Sequence, residues 1–95
     1  MSKEGKGTVA QVQGPVIDVQ FPQGELPSIQ DALWLEADGR KRMMEVAQHV
    51  GRDTVRCFML SPSEGIGRGM EVYRTTWVRG GVLVFREAGS AEEAD

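Results

Sequence analysis

Residues 8–21 read TVAQVQGPVIDVQF. Gly14-Pro15 divides this stretch into two short β-like runs. In the second run Ile17, Val19 and Phe21 alternate with Asp18 and Gln20, the period of two expected of a strand with one buried face. The same grammar continues outward. Residues 22–27, PQGELP, form a loop by their Pro and Gly content. Residues 31–37 make a third strand, with Leu33, Leu35 and Ala37 on one face. Asp38-Gly39 is a hairpin dipeptide, because both residues tolerate positive φ. Residues 40–50 return as a fourth strand, with Met44, Val46 and Val50 on one parity. Residues 51–53 turn. Residues 54–60 form a fifth strand in which Val55, Cys57 and Met59 alternate with Thr54 and Arg56. Residues 61–69, SPSEGIGRG, are a loop, and Met70-Glu71-Val72 is extended. Val82–Phe85, after Gly80-Gly81, is a wholly apolar last strand. β-branched residues and Gly recur throughout, which argues against helix. Short strands at near-regular spacing predict an all-β sandwich or barrel. A small closed barrel is favoured because it removes exposed edges with few residues.

Composition sets the outer limits. Ninety-five residues, 40% apolar and 26% charged, fit one small globular domain. Residues 1–6 are expected to fray, and residues 87–95 form an acidic, disordered end. The net charge of −3 comes from 11 basic and 14 acidic residues. Glu87, Glu92, Glu93 and Asp95 supply four of those acids, so the body is nearly neutral. That gives no electrostatic footprint for nucleic acid. One cysteine precludes an intrachain disulfide and favours a cytosol-facing compartment. No apolar run approaches the roughly 20 residues of a membrane span, and the first residues lack the apolar core of a secretory signal.

Few side chains invite a chemical reading. Gly65, Gly67 and Gly69 make the one glycine-rich loop worth testing as a phosphate cradle. No Lys-Ser or Lys-Thr follows, and no helix start is signalled, so it reads as a tight turn. His49 lacks partners for a metal site at a suitable spacing. Cys57 alternates with apolar neighbours and reads as a core residue rather than a nucleophile. Asp18, Glu36, Glu45 and Asp53 are scattered over strands and turns, as on a solvated barrel face. Arg40, Lys41 and Arg42 form a basic cluster whose neighbouring strands offer only Trp34 for base stacking. A surface turn, or a charged contact to a neighbouring subunit, is the expected role. No catalytic, cofactor-binding or metal-binding residue is therefore expected, and no enzyme.

Several segments together are specific: GTVAQVQGPVIDVQFP (7–22), DAL (31–33), MEVAQHVG (44–51), TVRCFML (54–60) and EGIGRGMEV (64–72). In order and spacing they resemble the start of the catalytic β subunit of the rotary F-type ATP synthases, over residues 7–72. The resemblance implies an all-β, small closed six-stranded β-barrel. It also implies a crown of six such barrels, alternating between α and β subunits, at the end of the hexamer away from the membrane. The expected role is therefore a non-catalytic assembly domain of a proton-transporting ATP synthase. Its partners would be α-subunit barrels or a second copy, without nucleic acid or direct membrane insertion. It would work on the cytoplasmic or organelle-matrix side. In that family nucleotide binding and catalysis belong to the following domain, and no GxxxxGK[ST] loop occurs in these 95 residues. After Val72 the wording departs from the family. Residues 7–86 are expected to make the barrel, with its last strand drawn from residues 73–86. If residues 81–86, GVLVFR, are that strand, deleting residues 81–95 should open the barrel. The alternative role is a free-standing, truncated or chimeric binding module acting through its edge or tail.

Overall fold

The first two strands are joined as tightly as their sequence suggests. β1 (Gly7–Gln13) and β2 (Val16–Gln20) pair antiparallel, with Gln13 opposite Val16. Gly14 takes a φ of 61° and Pro15 holds its ring-fixed negative φ. That is the sign pattern of a type II′ hairpin, whose twist matches the strands it joins. β3 (Ala32–Ala37) and β4 (Arg40–His49) meet through Asp38 and Gly39, at φ 56° and 76°. Both turn residues are left-handed, as a type I′ hairpin requires. β5 (Thr54–Met59), β6 (Glu71–Val78) and β7 (Val82–Phe85) complete the elements. The computed structural model describes residues 6–22, 26–78 and 82–85, and no helix occurs among them.

The strands run in the order β1-β2-β5-β4-β3-β6-β7. β6 also pairs with β1, Gly7 opposite Val72 and Thr8 opposite Glu71. The first six strands thus close into an antiparallel barrel. Two β-bulges curl the sheet toward closure, one between Val9 and Gln11 and one between Val46 and Gln48. The extra residue in each is a small one, Ala10 and Ala47. The first bulge shifts the inward parity of β1, so Val9 and Val12 both pack on the core.

The interior is filled by apolar side chains from all six ring strands, among them Val9, Ile17, Leu35, Val46, Val55 and Val72. Phe21 seals one end, 1% exposed. Its ring lies so near β1 that a Cβ on Gly7 would come within 2.8 Å of it. At the other end Ile66 from the 61–69 loop packs on the same core.

Closure comes earlier in the chain than the sequence suggests. β6, not Val82–Phe85, is the strand that meets β1. Val82–Phe85 does form a strand, but a seventh one outside the ring, paired with residues 75–78 of β6. Deleting residues 81–95 would therefore not open the barrel. The reason is geometric: β6 is long enough to contact β1 and β3 with its first half and β7 with its second.

Candidate functional site

The barrel interior is lined with apolar side chains. Cys57 lies within it, opposite Ile17 and Val46. Burial, and secondarily the charge of Asp18, push its thiol pKa up to about 12. The neutral thiol is a poor nucleophile, so Cys57 acts as a small apolar residue.

Several amides of the glycine-rich loop bond within the fold. The Ile66 amide donates to the Ser63 carbonyl at 3.2 Å and the Gly69 amide to the Val9 carbonyl at 2.8 Å. The Met70 amide reaches the Gly67 carbonyl at 3.4 Å, and the Gly67 amide faces Met70 Sδ at 3.4 Å. A phosphate cradle needs such amides convergent and free. Here they knit the loop to β1 and to itself. Gly65 and Gly69 take φ of 86° and 89°, the backbone bends that make the turn.

The basic cluster is split by strand alternation. Arg42 faces inward with Met44 and Val46 and is only 7% exposed. Its Nη1 donates to the Pro62 carbonyl at 2.7 Å and the Glu64 carbonyl at 2.8 Å. Its Nη2 lies 3.8 Å from exposed Asp38. Arg42 is thus an internal tie between the β3–β4 turn and the 61–69 loop. Lys41, on the other face, sits over the Trp34 ring at 4.7 Å. Arg40 is exposed.

The acids and the histidine are placed structurally too. Asp18 and Arg56 stand directly opposite on β2 and β5. Arg56 Nε and Nη2 donate to the two Asp18 oxygens at 2.9 and 3.1 Å. This bidentate bond holds the Arg56 guanidinium pKa above its ordinary value. It also explains why Asp18, expected on a solvated face, is only 9% exposed. Asp53 accepts from Gln20 Nε2 and Thr54 Oγ1, each at 3.0 Å. Those bonds, Gln20's first, lower its carboxyl pKa. His49 Nε2 donates to the Pro27 carbonyl at 2.8 Å. Glu36 and Glu45 lie on separate strand positions, opposite Lys41 and Ala32. Among the described residues no three His, Cys, Asp or Glu side chains gather as a metal site.

What remains is the outer wall, and it is asymmetric. On the β3–β6 side Trp34 points away from the core by parity, yet it is 1% exposed. Tyr73 covers it at a ring separation of 4.8 Å and a 35° tilt, with Lys41 above. Across the ring, β5 presents Phe58 at 50% exposure, and Leu60 just after the strand is 62% exposed. Phe58 stands between Val16 on β2 and Glu45 on β4, and the Leu60 amide donates to the Met43 carbonyl at 2.8 Å. This apolar strip is the feature that sequence alternation missed. Its signal was present: Phe58 and Leu60 share the parity of Thr54 and Arg56, the outward one.

Among the described residues no helix is long and apolar enough to cross a membrane. A family model described as "ATP synthase alpha/beta family, beta-barrel domain" matches residues 9–76. That match runs four residues past the point where the wording of the chain departs from the β subunit, to within the closing strand β6. With its closed six-stranded ring and this match over most of its length, the chain belongs to the beta-barrel domain family of the ATP synthase alpha/beta subunits.

Proposed function

We propose that this barrel is a non-catalytic assembly domain of the β-subunit type, packing against neighbouring α-subunit barrels in a proton-transporting ATP synthase. The observation that carries the reading is the exposed strip of Phe58 and Leu60 on an otherwise complete barrel. Large apolar side chains beside one another on a folded surface favour a protein neighbour. The apolar interior, and the Ile66 and Gly69 amides bonded within the fold, support the wall as the working surface. The β rather than α assignment is supported by the combined wording of residues 7–22, 31–33, 44–51, 54–60 and 64–72. The setting would be the cytoplasmic or organelle-matrix side of a membrane, reached through the complex.

Binding to an isolated α-subunit barrel, followed by calorimetry, tests the proposal. Phe58→Asp with Leu60→Asp should lower affinity at least tenfold, the loss expected from truncating central interface residues, about 1–2 kcal/mol or more. The thermal midpoint should stay near that of the parent chain. Unchanged affinity in that variant, or ATP turnover by the chain alone, would overturn the reading.

A further inference from the structure

Closing the ring leaves one strand outside it. β7 pairs with the outer half of β6, from Thr75↔Phe85 to Val78↔Val82. It ends the sheet order, with no second strand beside it among the described residues. Within the ring, by contrast, every strand has a strand on both sides, and only residues 75–78 of β6 run beyond it to β7. A strand edge presents a row of N–H and C=O groups that another strand can satisfy. The sequence of β7, VLVF, is made of strong β-formers without charge or proline. Proteins commonly blunt an edge with lysine, proline or a bulge, and β7 carries none of these. The strand also lies beyond residue 76, where the family match ends. It is an addition to a barrel already complete.

We infer that β7 is a self-association strand, through which two copies of this chain pair antiparallel, β7 against β7. The topology selects this occupant. Among its described strands a second copy offers its own β7 and the far side of β6 residues 75–78, and of these only β7 against β7 sets a strand against its identical copy. An antiparallel pair of identical strands has a two-fold axis, so each copy satisfies the other's groups and assembly stops at two. In the ring order β6 and β5 are three strands apart in either direction. β7 therefore projects opposite the Phe58–Leu60 strip, and the dimer does not depend on the assembly reading.

Sedimentation equilibrium of the full chain tests this, over a concentration series reaching about a millimolar. So short an edge is far smaller than a standard interface and calls for that range. The expected result is a twofold rise in mass. Hydrogen exchange locates the contact. Successive amides in an antiparallel strand point to opposite edges. Alternate amides of residues 82–85 are then protected by β6, and the others should gain protection only as concentration rises. Leu83→Pro and Val84→Pro remove donors on opposite edges, so one of the two takes away an outward donor. That variant should remain a monomer with a cooperative melt, while Phe58→Asp should dimerise like the parent. A constant mass of one chain, growth beyond two chains, or a dimer surviving both proline variants would overturn the inference.

Discussion

At the residue scale, the barrel depends on a few close approaches that no periodicity reveals. Gly7 is the clearest. A Cβ there would lie 2.8 Å from the Phe21 ring and from Val19, both fully buried. Gly7→Ala should therefore cost about 1–3 kcal/mol by overpacking, read as a lower thermal midpoint. Arg74 sits over the same Phe21 ring at 5.2 Å, so displacing the ring disturbs that cation–π contact as well. Glu71 marks the β1–β6 seam. It accepts from Tyr73 Oη at 2.8 Å and pairs with Lys6 at 3.4 Å. The Tyr73 bond, then Lys6, lower its carboxyl pKa. A depressed folded-state pKa gives stability that is complete above the ordinary glutamate value and is lost as pH falls through the folded one. The pair is exposed, so the effect should be small. Glu71→Gln should flatten the acid limb of stability against pH below about 4.5, measured by denaturant melts. An unchanged acid limb would exclude a role for the seam.

At the element scale, β6 does two jobs in sequence. Residues 71–74 pair with β1 and β3, and residues 75–78 pair with β7. Thr75 Oγ1 also donates to the Ala32 carbonyl at 2.8 Å, which continues the contact with β3. Removing residues 79–95 should therefore leave a cooperative thermal melt, with only a modest fall in midpoint. A non-cooperative melt would mean that β7 supports the ring after all. The strands before residue 60 were legible because burial alternates along much of β1, β4 and β5, β2 and β3 are largely apolar runs, and turn residues separate them. β6 was not. Its sequence, EVYRTTWV, does not alternate apolar and polar residues over its length, although Val72 is buried. A strand held mainly by backbone pairing on both edges leaves a weak hydrophobic pattern.

At the scale of the whole molecule, the ring makes opening a global event. Cys57 is buried in the core, with a thiol pKa of about 12. Its reaction with a thiol reagent should need unfolding of the barrel rather than local fraying. The labelling rate should then rise with denaturant along the same free-energy slope as the global melt. A fast, denaturant-independent rate would reveal a local opening of β2, β4 or β5. The structural roles of these side chains were only partly legible at this scale. The isolation of His49 and Cys57 could be read from spacing. The use of the Ile66 and Gly69 amides and of Arg42 inside the fold could not, because their acceptors lie on β1 and in the 61–64 loop.

By itself the sequence determined the first five strands, the two tight connections at Gly14-Pro15 and Asp38-Gly39, and the family. Alternation of side chains and the φ demands of Gly14-Pro15 and Asp38-Gly39 are local properties of the chain. Only the tertiary structure decided which strand closes the ring, why Asp18 and Arg42 are buried, and which wall stays apolar and open. Those outcomes rest on register between distant strands, where one residue of slip or one bulge exchanges the inward and outward faces.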